Sequence, residues 1–230
     1  MNGFKKTVLA ATAAMVLGLA ANAQALLIDN FNNTTVSEIE SLTDNLGTIV
    51  QQAGTTNVPF PSDTSLTNNV RFVEVARTGG TSTQGHASVS VADGSYQHSQ
   101  DSGVSGWSAS KWTFDTANFT AGGSFAVLVD YDADLAGGQV HVTLWDVNNN
   151  SDTVGSGILG AGVGQTSFAF AGFAGVDLTN IVMARMEVDG RNVMRLDVDV
   201  DIVQTVPEPG AMLLMGGGLL GLGLWRKLRV

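Results

Sequence analysis

Two short acidic stretches are the first places in this sequence where chemically useful side chains recur at a useful spacing. Asp130-Tyr131-Asp132-Ala133-Asp134 sets three carboxylates at alternate positions. Asp146-Val147-Asn148-Asn149-Asn150-Ser151-Asp152 sets oxygen-bearing side chains at its first, third, fifth and seventh positions. Oxygen ligands so spaced suit Ca2+, which takes about six to eight of them. Asp130, Asp132, Asp134, Asp146, Asn148, Asn150 and Asp152 are therefore the candidate metal ligands. The second stretch departs from an EF-hand loop, with Ser151 where glycine belongs and Gly157 where the bidentate glutamate belongs. Hairpin turns carrying solvated Asp and Asn are the other reading of both stretches.

Trp107, Trp112 and Trp145 are candidates for stacking on sugar rings. Trp107 and Trp112 are five residues apart, so a regular strand points them to opposite faces, one of them into the core. The three histidines, His86, His98 and His141, show neither an HExxH pattern nor any two-histidine metal spacing. No GxSxG elbow is present. The glycine-rich run 155–165 lacks the Lys-Ser/Thr that a phosphate loop needs. The chain has no cysteine, which excludes disulfides and thiolate chemistry. Carboxylates are plentiful enough that counting alone leaves a glycosidase pair open, but the expectation is a protein without catalytic activity.

The elements that position these residues read as strands. Short apolar–polar alternations bounded by ADGS, TAGG, LAGG, NNNSD and DGRN carry period-two patterning with turn punctuation. They predict strands over 26–31, 70–76, 86–91, 106–114, 124–131, 139–147, 166–170, 181–188 and 193–203. Ser37–Gln52 spaces Ile39, Leu42, Leu46 and Ile49 at three and four, which fits a helix or a polar connection. Nothing alternates as βαβ. The fold class is all-β, a β-sandwich of jelly-roll type. Its last two strands are expected to form a hairpin through a Gly190-Arg191-Asn192 loop. Val188 would then face Met194, Glu187 would face Arg195 and Arg185 would face Asp197, each charged pair complementary. The Asp197, Asp199 and Asp201 row is expected to be a solvated strand face that blunts edge pairing.

Both ends differ from this body. Residues 1–25 carry Lys5 and Lys6, an apolar stretch from Thr7 to Ala20 too short for a membrane span, and small residues before Leu26. That is a signal peptide, with Ala23-Gln24-Ala25 fitting cleavage before Leu26 and Ala21-Asn22-Ala23 as the alternative site. Residues 26–205 are the exported domain. Residues 26–206 hold six basic against twenty acidic residues, a formal charge of −14, which disfavours nucleic acid because phosphate binding needs a basic face. Residues 206–230 change composition abruptly. Pro207, Glu208 and Pro209 precede an uncharged run, Gly210–Trp225, and the chain ends with Arg226, Lys227 and Arg229. As a transmembrane helix, 210–225 would reach about 24 Å against a hydrocarbon core of about 30 Å. Its six glycines weaken it further, and its basic end fits the positive-inside rule.

These three ordered elements resemble the PEP-CTERM sorting tail of Gram-negative bacteria, also labelled an ice-binding protein C-terminal segment. The resemblance implies recognition by exosortase, a membrane-embedded protease or transpeptidase with a cysteine nucleophile. Pro207, Glu208 and Pro209 would carry the motif, and Arg226, Lys227 and Arg229 its basic end. It implies an inner-membrane intermediate, removal of the tail near the prolines and delivery to the cell surface or extracellular matrix. The expected partners are exosortase and the secretion machinery, with the membrane engaged transiently. Such proteins occur in bacteria that make exopolysaccharide. The expected function is a structural or adhesive surface or biofilm-matrix protein associated with that polymer. The alternatives are a carbohydrate-binding module with calcium-supported loops and a surface hydrolase.

Overall fold

Residues that alternate apolar and polar need a dry face and a wet face, and two antiparallel sheets provide both. The computed structural model describes residues 25–32, 40–44, 50–53, 65–82, 85–92 and 94–207. The signal-peptide residue Ala23, the motif residues Glu208 and Pro209, the helix expected over 210–225 and the basic end lie outside them. Among the described residues there is no α-helix. The strands are β1 (Leu27–Asp29), β2 (Glu40–Asp44), β3 (Val50–Ala53), β4 (Val70–Gly80), β5 (Ala87–Ala92), β6 (Ser95–Gln100), β7 (Val104–Ala117), β8 (Ser124–Ala133), β9 (Gln139–Asp146), β10 (Ser151–Gly155), β11 (Gly162–Ala169), β12 (Ile181–Asp189) and β13 (Asp197–Pro207).

One sheet runs β11-β8-β13-β6-β5-β2, with β1 also paired to β13; the other runs β10-β9-β12-β7-β4-β3. The sandwich is therefore borne out. Its core interleaves Val127, Val129, Val198, Val200 and Val203 of the first sheet with Val73, Val75, Val142, Leu144, Met186 and Val188 of the second. The chain crosses between sheets at nearly every step from β6 onward, and β9–β10 is a hairpin. Pro207 pairs with Ser124 and Val198 with Ala133, so the tail leaves from the end opposite the β8–β9 and β12–β13 connections.

The expected β12–β13 hairpin is overturned. The two strands belong to different sheets, and Glu187 stands between His141 of β9 and Ala109 of β7. A left-handed residue in this connection is Arg195 (φ 66). The alternation holds in part: Ala184, Met186 and Val188 point inward, as do Val198 and Val200, but Met194 is exposed and a register shift turns Val203 rather than Ile202 inward. Alternation does not say which sheet a strand joins. Nor does β13 blunt an edge. It lies inside its sheet with β8 on one side and β6 and β1 on the other, and it runs past Val203 to Pro207. Within Ser37–Gln52 the described residues are strand rather than helix or plain connection. Glu40–Asp44 fills the slot beside β5 and Val50–Ala53 the slot beside β4, so pairing overrides the helical spacing.

Besides β2 and β3, two further strands escaped the sequence reading. β6, SYQHSQ, turns Tyr96, His98 and Gln100 inward, and no apolar alternation marks it. Its side chains are satisfied across the sandwich instead. The Tyr96 hydroxyl donates to Ser108 Oγ (2.6 Å), and Gln100 Nε2 donates to Gly106 O (3.0 Å) and faces His98 Nε2 (2.9 Å). An amide nitrogen is only a donor, so His98 Nε2 accepts and its Nδ1–H donates to Ser108 Oγ at 2.8 Å. The imidazole is held neutral in one tautomer. β10, SDTVG, is an edge strand with alternately exposed residues and little to bury.

Candidate functional site

The outward face of the six-stranded sheet gathers Lys111, Arg185 and Arg191 with several aromatic side chains. Register sets the rows. Gln139, Asp189, Trp107 and Ala76 lie abreast; then His141, Glu187, Ala109 and Glu74; then Thr143, Arg185, Lys111 and Phe72; then Trp145, Met183, Thr113 and Val70. Trp112 points the other way into the core and is buried, so the opposite-face expectation for the two tryptophans is met. Trp107 is only 8% exposed, although it lies on the outward face. It forms a small apolar cluster with Ala76 and Ala109, separate from the main core.

Two guanidiniums close over that indole. Arg185 Cζ lies 5.1 Å and Arg191 Cζ 5.4 Å from the ring centroid, within cation–π range. Both are matched by carboxylates. Arg185 donates to Glu74 (3.2 Å) and Glu187 (2.6 Å). Arg191 reaches Glu187 and Asp189, each at 2.8 Å. His141 Nε2 stands 3.7 Å from Asp189 Oδ2, and Gly155 on β10 leaves room for its ring, which a Cβ there would meet at 2.9 Å. Lys111 covers the ring of Phe72 at 5.8 Å. The result is an aromatic surface bordered by planar donors and acceptors of balanced charge. Sequence spacing does not predict this grouping, because Glu74, Trp107, Arg185 and Arg191 meet only across three strands and a loop.

The first acidic stretch lies in a strand rather than a loop, whereas the second is a hairpin turn between β9 and β10. Asp130 and Asp132 lie within β8, on the outward face of the other sheet, with Asp134 just beyond the strand. Asp130 accepts from Gln165 Nε2 (2.6 Å), and Asp134 accepts from the Asp197 amide (2.8 Å). Asp132 stands opposite Asp199 in the ladder. Partial burial, and then the charges of Asp201, Asp132 and Asp197, raise the Asp199 pKa above the usual carboxylate value.

Asp146 ties a turn. Its Oδ1 accepts from the amides of Asn148 (2.9 Å) and Asn150 (3.0 Å). Its Oδ2 accepts from the Asn150 side chain (2.9 Å) and the Asp177 amide (3.1 Å). These donors, the Asn150 side chain foremost, hold its pKa below the usual value. Asn150 thus serves Asp146, and Asp152 accepts from the Thr153 amide (2.8 Å). Among the described residues, no three acidic or histidine side chains group as a metal ion would need.

The last strand leads directly into the tail. Thr205 is buried, its amide donates to Leu26 O and its hydroxyl oxygen accepts from the Leu26 amide, both at 2.9 Å. From Thr205 onward the sequence matches the family model described as the PEP-CTERM protein-sorting motif, over residues 205–227. This chain carries a PEP-CTERM sorting motif. Pro207, Glu208 and Pro209 fall within the match, as do Arg226 and Lys227. The PEP-CTERM tail marks an exported chain and begins on the final hydrogen-bonded residues of the sandwich.

No curated protein sequence matches the chain. Among solved structures it is similar to a family 11 carbohydrate-binding module from Clostridium thermocellum in complex with a beta-1,3-1,4-mixed-linked tetrasaccharide. There the identity is 9%, 80% of this chain and 95% of that one are covered, and the TM-score is 0.43. An agarase aligns at 11% identity over 81% of this chain and 27% of its own, TM-score 0.43. A tailspike enzymatic domain of bacteriophage CBA120 aligns at 10% identity over 79% and 21%, TM-score 0.37.

Proposed function

We propose that this is an exported protein which exosortase sorts to the cell surface, and whose sandwich, of jelly-roll type, holds a neutral polysaccharide without altering it. The observation that carries the binding role is the Trp107 surface, an indole lying among paired guanidiniums and carboxylates on an outward sheet face. Polar groups fixed beside an aromatic body suit a ligand with both an apolar ring face and a rim of hydroxyls. Balanced pairs offer donors and acceptors together, as hydroxyls require. The acidity of the exported part disfavours a polyanion. The tail leaves from the far end of the sandwich, so a membrane-held chain would present Trp107 outward.

Affinity electrophoresis in gels containing soluble glucans, galactans or mannans tests the binding role. At least one gel is expected to retard the protein, and Trp107→Ala is expected to weaken that retention on the order of tenfold or more. A folded Trp107→Ala protein retained as strongly as the parent would refute it. Sorting is tested by tagging the body in its native host. The tagged body is expected at the surface with its tail removed. A tagged chain that stays soluble and untruncated in the periplasm would end the sorting proposal.

A further inference from the structure

The two guanidiniums over Trp107 are held in different ways. Arg185 belongs to β12, with its backbone in the ladder between β7 and β9, and its side chain is tied to carboxylates on two strands. Arg191 sits in the β12–β13 connection. The loop is anchored beside it, where the Gly190 amide donates to Gly106 O (2.9 Å), and the Arg191 amide donates to Asp189 Oδ1 (2.9 Å). Its side chain, 38% exposed, is held by contacts to Asp189, Glu187 and the indole. Rotation about its own side-chain bonds is enough to remove it. Doing so would uncover the ring and free oxygens of Glu187 and Asp189 next to it, with no change in any strand.

We propose that Arg191 is a lid on the Trp107 surface, a place-holder whose guanidinium a ligand's sugar ring and hydroxyls displace. This rests on the glycan reading above and specifies how that site opens. In the closed form Arg191 satisfies the two carboxylates and covers the indole. In the open form ligand hydroxyls donate to those carboxylates and the sugar's apolar face takes the indole. Arg191 and the ligand therefore compete. Arg185 stays in place and remains part of the binding surface.

Competition of this kind has an unusual signature. Binding of a neutral ligand is ordinarily insensitive to salt, but the pairs that hold Arg191 are partly exposed and weaken as ionic strength rises. The parent protein should therefore bind a neutral polysaccharide more tightly in higher salt. Arg191→Ala should bind on the order of three- to tenfold tighter than the parent at low salt and should lose the salt dependence. Without any ligand, acrylamide should quench the tryptophan emission of Arg191→Ala more strongly than that of the parent. The excess should vanish when Trp107→Phe is added.

The experiment combines that quenching comparison with affinity electrophoresis of parent and Arg191→Ala in the gel that retards the parent, at two salt concentrations. Tighter, salt-independent retention with increased quenching supports the lid. Weaker retention of Arg191→Ala overturns it, because Arg191 would then be a ligand contact. Unchanged quenching also overturns it. If no gel retards either protein, the glycan reading fails and the quenching comparison still decides whether Arg191 covers Trp107.

Discussion

Alanine at Asp29 is expected to destabilise the domain by about 3–5 kcal/mol. Asp29 is buried where β1 meets the other sheet. Its Oδ2 accepts from Arg71 Nη1 (2.9 Å) and Trp112 Nε1 (2.7 Å), and its Oδ1 accepts from the Phe31 amide (2.7 Å). Arg71 and Trp112 are themselves among the most deeply buried side chains. Removing the carboxylate takes a buried counter-charge from Arg71 and the Asp29 acceptor from the indole N–H, and desolvated groups of that kind are costly. It also removes the side-chain bond that holds Phe31 in a left-handed conformation (φ 54), where its ring packs against Tyr96 and Trp112. Equilibrium urea unfolding followed by far-UV circular dichroism measures the loss. Asp29→Asn, which keeps an acceptor of the same shape, should lose less. A loss under about 1 kcal/mol for Asp29→Ala would show that the ion pair merely offsets its own desolvation.

The second large effect is a loss of stability in mild acid that depends on His98. Burial between the sheets lowers its pKa from 6.5 to about 4, while the charges of Asp197 and Asp189 push weakly the other way. The sign follows from which state takes up the proton first. Above about pH 6.5 the imidazole is neutral whether the chain is folded or not, and its contribution is complete. Between about 6.5 and 4 the unfolded chain binds the proton and the folded chain does not, so stability falls as pH falls. Below about 4 both states are protonated and this group adds no further slope. A separation of that size is worth about 3 kcal/mol over the window.

Neither hydrogen-bond partner relieves the problem, since a proton on Nε2 would face the donating Gln100 amide. Urea midpoints measured from pH 7.5 to 4.5 should fall in the parent. In His98→Phe they should start lower and fall much less. Equal slopes in the two proteins would rule out His98 as the source. Asp199 acts in the opposite sense. Its raised pKa means the folded state gains protons first, so its protonation favours folding as pH falls.

The same residue shows where sequence reading loses its signal. His98, with Tyr96 and Gln100, lines a buried face with polar side chains whose partner Ser108 lies on another strand of the other sheet. Hydrophobic alternation registers burial only when the buried residues are apolar, so β6 was invisible. β12 and β13 show the complementary limit. Their inward residues were identified, yet complementary charges suggested a hairpin that does not exist. Glu187 found Arg185 and Arg191 instead, both within four residues of it in the chain. Charge complementarity can be met by several partners, and only the sheet that accepts a strand decides among them.

Local chemistry by itself determined the sorting tail and the class of the body. A proline-bounded motif, an uncharged run and a basic end are defined by order along the chain and need no fold to be read. Strand alternation also declares two-sided packing locally, so the two-sheet sandwich and the opposed tryptophans followed from it. The tertiary structure alone decided what stands beside what. It placed β13 inside a sheet, buried the Asp146 carboxylate in its turn and assembled Glu74, Trp107, Arg185 and Arg191 on one face. The physical reason is that antiparallel pairing sets neighbours about 4.8 Å apart across the sheet regardless of their distance in sequence. A binding face built by pairing exists only once the sheet has formed.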